Sequence, residues 1–202
     1  MALRIKSQWF RDGAARTVEQ SASVVAFIVW RVTQNMVKQL RSAGFDIDVG
    51  PLYFAFMREV LVFLALAVDR WVFARMENAA RSAFTSALVQ RLGGILEESE
   101  QEWLGDPTKG AEPWCHQFIE QCNQLSQDYA AFGHDAAGPD FAFVRFFASR
   151  VEALMQAKDQ RWVTDQLMAI EVPEALEMVK RGLDGALSTG ERPRRRAAVS
   201  GD

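Results

Sequence analysis

The stretch VLVFLALAV at residues 60–68 is the longest uncharged apolar run in the chain. Its nine residues are too few to span a membrane, which takes about 20. Charged residues close both ends of the run, with Arg58 and Glu59 before it and Asp69 and Arg70 after it. A helix that is apolar on all sides belongs in the middle of a protein. We therefore expect this run to form a buried core helix and no membrane span.

Helical periodicity extends outward from this run in both directions. The core helix is expected to begin at Pro51, because proline suits the first turn of a helix. Residues 52–92 contain neither Gly nor Pro, so the core helix either ends near Met76 or continues directly into the next helix. Apolar residues recur three or four apart in the other segments as well. The predicted helices cover residues 15–43, 50–76, 77–104, 113–132, 139–170 and 173–187.

These segments predict an all-α fold, a single-domain bundle of five or six helices over residues 1–187. Within it, residues 1–15 alternate apolar and polar side chains, which favours a short extended arm. Residues 188–202 are polar, contain four arginines and have no apolar period, which predicts a disordered basic tail.

The fifth predicted helix carries an apolar stripe that ends with Val163, Leu167 and Ile170. We expect these three side chains to face the core. Pro173 should then interrupt the helix, because proline lacks the backbone N–H and its ring clashes with the preceding turn.

Amino-acid composition indicates the class of protein but not its function. The chain has 202 residues, 49 % apolar and 24 % charged, with a net charge of −3. This balance is typical of a globular protein and disfavours a basic nucleic-acid-binding protein. Only two cysteines occur, seven positions apart on one predicted helix, too far apart for a disulfide. Few cysteines and no apolar leader favour a reducing, cytoplasmic location.

Motifs for catalysis are absent from the sequence. It contains no G-x-G-x-x-G, no G-x-x-x-x-G-K-[ST], no G-x-S-x-G, no C-x-x-C and no H-E-x-x-H, the patterns of nucleotide, hydrolase, thiol and zinc sites. The two histidines are His116 and His134. His116 and Glu120 lie four apart on one helix face and come nearest to a metal-ligand pair, although a surface pair explains them as well. His134 is interpreted as a polar loop residue. We expect no cofactor, and the missing motifs disfavour an enzyme.

The charges that flank the core run form a candidate site. Arg58 and Asp69 are eleven residues apart, which places them on one helix face, and Glu59 and Arg70 repeat that spacing one position on. Charges beside a core helix must be paired or reach water. They either line a polar ligand site, with Tyr53 near the helix start, or form structural ion pairs with neighbouring helices.

Aromatic side chains are the second candidate feature, since the chain contains six Trp and 14 Phe. Trp30, Trp71, Phe143 and Phe147, with Phe63 of the core run, could line an apolar ligand pocket. The same rings could instead fill the core of a bundle.

Three functions follow from these features. The first is a helical protein-interaction module or homo-oligomer, because helix one has an apolar arc at residues 24–30 that is wider than one packing partner needs. The second is a bundle that binds an apolar small molecule. The third is a metal-dependent enzyme with Glu59, Asp69, His116 and Glu120 around one ion.

Overall fold

The computed structural model describes residues 17–188. The predicted arm, residues 1–15, lies outside this range, and so does the basic tail except for Ser188. Within this range the protein is all-helical, as the sequence predicts, and forms one bundle. The α-helical segments are α1 (Val18–Ser42), α2 (Pro51–Phe73), α3 (Asn78–Leu104), α4 (Trp114–Ala130), α5 (Phe141–Leu154), α6 (Gln160–Gln166) and α7 (Val172–Leu187). Segment α6 continues through a π-helical turn, Leu167–Glu171, into α7 without a break, so residues 17–188 form six continuous helices.

Helix α2 is the centre of the bundle and packs against α1, α3, α4, α5 and α7. Every residue from Val60 to Ala65 is buried, which explains why the run has no polar face. By length and composition α2 is apolar enough to cross a membrane, but 67 % of its most apolar window is buried inside the bundle, as in the core helix of a globular fold.

Helix α1 lies between α3 and α7 and begins with a strong cap. The side chain of Thr17 accepts a hydrogen bond from the Gln20 N–H, and the Gln20 side chain accepts one from the Thr17 N–H. This reciprocal pair satisfies two of the free donors at the helix start. At the other end, Gly44 adopts a φ of 94°, the left-handed conformation that ends many helices.

Two helix boundaries were decided by packing. The chain leaves the helical conformation between α2 and α3 although no Gly or Pro lies there, with Glu77 in an extended conformation. The reversal lets α3 pack back against α2, and a carboxylate of α2, Asp69, binds Arg81 of α3 across it. Similarly, the predicted fifth helix is interrupted at Met155, which has an extended ψ of 155°.

The prediction that Pro173 interrupts the helix is wrong. The π turn widens the helix just before this residue, and the N–H of Val172 bonds to the carbonyl of Leu167, five residues earlier. A wider turn gives the proline ring the room that an α-helix denies it. The same insertion rotates Ile170 away from the core, and Ile170 is 45 % exposed instead of buried.

Candidate functional site

The charged residues of α2 bind partners on different helices and do not meet at one point. Arg58 forms an ion pair with Glu100 of α3, with 2.8 Å between the guanidinium nitrogen and the carboxylate oxygen. It also donates to Gln117 of α4 at 3.3 Å and lies 5.2 Å from the ring centre of Trp114. Burial raises the pKa of Glu100, and the guanidinium opposes that rise.

Glu59 takes its partners from two other helices. Arg150 of α5 donates two hydrogen bonds to its carboxylate, each 2.6 Å long. Gln121 of α4 donates a third at 2.8 Å. Because Glu59 is only 6 % exposed, these bonds replace the water that its charge would otherwise require.

The remaining two charges lie at the far end of α2. Asp69 accepts bonds from Arg81 and, at 2.6 Å, from Thr85 of α3. Arg70 donates to the backbone carbonyl of Tyr129 at 3.1 Å. Each charged side chain of α2 therefore bonds to a neighbouring helix. This arrangement favours structural contacts between helices over a shared polar ligand site. Tyr53 lies apart from them, beside a depression of about 320 Å³ bordered by Val37 and Lys38 of α1.

The aromatic residues expected to line an apolar pocket pack directly on one another. The rings of Phe63 and Phe147 stack with centroids 4.3 Å apart, and Phe143 lies 5.6 Å from Phe63. The ring of Tyr129, a residue that was not predicted to belong to this cluster, has its centroid 4.4 Å from that of Phe143. Trp30 and Trp71 are 8 % and 3 % exposed. Tight ring contacts of this kind fill a core and leave no room between them for a ligand.

The candidate metal ligands are likewise separated. The His116 side chain is 65 % exposed and lies 3.8 Å from Glu112. Glu120 accepts a hydrogen bond from Gln124 one turn later on α4. No group of three or more His, Cys, Asp or Glu residues between positions 17 and 188 is arranged to hold a metal ion.

A groove of about 510 Å³ lies along the loop between α4 and α5. His134, Asp135 and Asp140 border it, with Leu176 of α7 opposite. Several hydrogen bonds hold the loop in place. The Asp140 side chain accepts from the N–H groups of Gly133 and Phe143, and the Asp135 side chain accepts from the N–H groups of residues 137 and 138. Lys180 of α7 donates to the carbonyls of the same loop.

Two buried polar atoms at this loop, the Nε2 of His134 and the Nε1 of Trp71, have no hydrogen-bond partner among residues 17–188. The two rings meet edge to face, 5.5 Å apart. Burial, together with the nearby charge of Arg70, lowers the pKa of His134 and so favours the neutral form of its ring. Among these residues there is no nucleophile with an adjacent base, the arrangement that covalent catalysis needs.

The most exposed apolar side chain of α1 is Phe27, at 61 %. It lies within the arc 24–30 that the sequence analysis singled out. In that arc Val25, Ala26, Val29 and Trp30 are buried in the core, so the bundle itself covers most of the arc. Val24 and Ile28, on either side of Phe27 in the sequence, are only half-buried, and Ile28 lies against Gly182 of α7.

Helix α7 continues this apolar surface. A Cβ added to Gly182 would lie 2.8 Å from Ile28, so the two helices touch there, whereas a Cβ added to Gly185 would meet nothing within 4 Å. Met178, one turn before Gly182, is 37 % exposed. We call this surface the α1–α7 face; its members are Val24, Phe27, Ile28, Met178, Gly182 and Gly185.

Charges of opposite sign border the two sides of the α1–α7 face. On α1, Arg31 and Lys38 are exposed and form no ion pair with any residue between 17 and 188. On α7, Glu174 and Glu177 are exposed; Glu174 accepts a hydrogen bond from Gln39, and Glu177 pairs with Arg181 one turn later. Sequence reasoning identified the arc on α1 but not its α7 half, because α7 approaches α1 only in the folded bundle.

Comparison with known proteins adds no relative: no family model matches, and no curated protein or solved structure shows significant similarity.

Proposed function

We propose that this protein acts by binding another protein through the α1–α7 face. The observation that carries the proposal is the exposure of Phe27 at the middle of α1, a helix whose other large apolar side chains are buried or half-buried. An exposed aromatic side chain among apolar neighbours is a typical anchor of a protein interface. On the neighbouring helix, Gly185 has open space around it and allows a partner to approach the backbone closely.

Other large apolar side chains are also exposed, but they lie on different elements. They are Phe73 on α2, Trp103 on α3, Phe141 on α5 and Trp162 on α6. Single exposed apolar residues are common on protein surfaces. The α1–α7 face differs because apolar residues of two adjacent helices form one continuous surface.

The alternative of an apolar ligand inside the bundle is disfavoured by the packing of Phe63, Phe143 and Phe147 against one another. The metal-enzyme alternative is disfavoured because Glu59 and Asp69 each bind an arginine on a different helix. Both cysteines are unpaired, which supports the proposal that the partner is met in a reducing compartment such as the cytoplasm.

A photo-crosslinking amino acid placed at position 27 in the producing cell tests this proposal. The matched control carries the same group at Gln90, an exposed residue of α3. We expect a discrete crosslinked species from position 27 and none from position 90. Equal crosslinking from both positions, or none from position 27, would contradict the proposed contact surface.

A further inference from the structure

We infer that the partner on the α1–α7 face is a second copy of this chain, placed about a two-fold axis that runs parallel to α1 and α7. This inference rests on the proposed function and specifies its partner. It follows from the register of the two helices, from the shape of the face and from the charges beside it.

The register of α1 and α7 is set by two contacts. Ile28 lies against Gly182, and Gln39 donates to Glu174 at 3.5 Å, so the helices are antiparallel. A rotation about a two-fold axis parallel to the helices does not change the position of a residue along that axis, which we call its height. The rotation places the α1 side of one subunit against the α7 side of the other. Each α1 therefore lies opposite α7 of the partner subunit, as an isologous contact requires.

The shape of the face permits this arrangement. Phe27 is next to Ile28, at the height of Gly182, so it lies opposite the glycine side of α7 in the partner subunit. Gly185 leaves open space there, because even an added Cβ would meet nothing within 4 Å. The missing side chain of Gly185 therefore leaves the backbone of α7 unobstructed at about the height of the Phe27 ring, which allows the two helices to approach closely.

The charges are complementary at the same heights. Lys38 lies ten residues beyond Ile28 on α1, and Glu174 lies eight residues before Gly182 on α7. At about 1.5 Å per residue the two differ in height by only about 3 Å. Arg31 and Glu177 differ by a similar amount, and Glu177 also pairs with Arg181 of its own helix. Arg31 and Lys38 therefore each lie at the height of a carboxylate of the partner subunit. Pairs of this kind set the orientation of an interface more than its strength.

Sedimentation of the full purified chain tests the inference directly. We expect a concentration-dependent dimer, and we expect Phe27→Glu to raise its dissociation constant by at least about thirtyfold, the effect of losing a central aromatic anchor. The matched control is Phe141→Glu, which alters an equally accessible phenylalanine on α5 (74 % exposed) and should leave the dimer unchanged. A dimer that is insensitive to Phe27→Glu would overturn the inference.

A charge exchange distinguishes this pairing from any other dimer. One variant carries Arg31→Glu with Lys38→Glu, and the other carries Glu174→Lys with Glu177→Lys. Each alone places like charges opposite each other and should be monomeric, whereas an equimolar mixture should form a mixed dimer in which every pair is again opposite. Two variants that stay monomeric when mixed would refute the charge register, provided that circular dichroism shows both to be folded.

The two proposals can fail separately. If the wild-type chain is monomeric at concentrations of about 100 μM, well above the Kd of an ordinary specific interface, self-association is wrong. The crosslinking at position 27 then decides the proposed function: a crosslink to a different protein preserves it, and the absence of a crosslink removes both proposals.

Discussion

Removing the guanidinium of Arg150 should destabilise the fold strongly, because Glu59 would then keep a buried charge without an ionic partner. In the wild-type chain Arg150 donates two bonds of 2.6 Å to this carboxylate, which is 6 % exposed. Removing one partner of a buried pair costs about 3–5 kcal/mol. Here the Arg150 side chain is 33 % exposed and Gln121 still donates to Glu59. We therefore expect Arg150→Met to lower the free energy of unfolding by about 2–3 kcal/mol.

Urea unfolding followed by circular dichroism measures this change, with Glu59→Gln and the double variant completing a double-mutant cycle. The double variant should be more stable than Arg150→Met alone, because it no longer buries an unpaired charge. The matched control is Arg145→Met on the same helix, whose pairing with Glu152 is longer, at 3.6 Å, and largely exposed; it should cost less than about 1 kcal/mol. Strictly additive effects of the two single variants would refute the reasoning, because they would mean that Glu59 and Arg150 do not stabilise each other.

Three further predictions test the packing and the loop. Gly93→Ala should destabilise the bundle by about 1–3 kcal/mol, because the new Cβ would lie 2.8 Å from the sulfur of Cys115. By contrast, Gly94→Ala has open space and should stabilise α3 by up to about 1 kcal/mol; equal effects in thermal melts would show that this contact is absent. Phe147→Ala should cost about 3–5 kcal/mol in urea unfolding, since its ring is fully buried and stacked, and a loss below about 1 kcal/mol would mean that the aromatic core is loosely packed. The pKa of His134 is lowered by burial, so its contribution to stability is complete above its unfolded pKa and is lost as the pH falls through its folded pKa. The Tm of His134→Gln should consequently fall less than that of the wild type between about pH 7 and about pH 5, and identical falls would exclude this role.

A test in the host is most informative for the α1–α7 face, since this surface combines the exposed ring of Phe27 with apolar residues from two adjacent helices. We propose that its partner is a second copy of the same chain. If the dimer forms as inferred, Phe27 would be buried in the assembly, and the exposure seen in the single chain would be a property of the isolated subunit only.

Apolar periodicity by itself determined the helical class and most of the helix positions. The predicted third helix, residues 77–104, nearly coincides with Asn78–Leu104, because an apolar stripe and a closing Gly105 are local signals. The central place of α2 was also readable, since a helix without a polar face can be stable only when other helices surround it.

Tertiary packing decided everything that depends on residues distant in sequence. Glu59 and Arg150 are 91 positions apart, and no pattern along the chain indicates that they meet. Whether Phe63, Phe143 and Phe147 form a pocket or a packed core depends on distances between helices, which periodicity does not report. The π turn before Pro173 gives the proline ring room while α6 continues into α7. The exposure of Phe27 was settled in the same way, because a helix pattern shows which side chains are apolar, and only the assembled bundle determines which of them it covers.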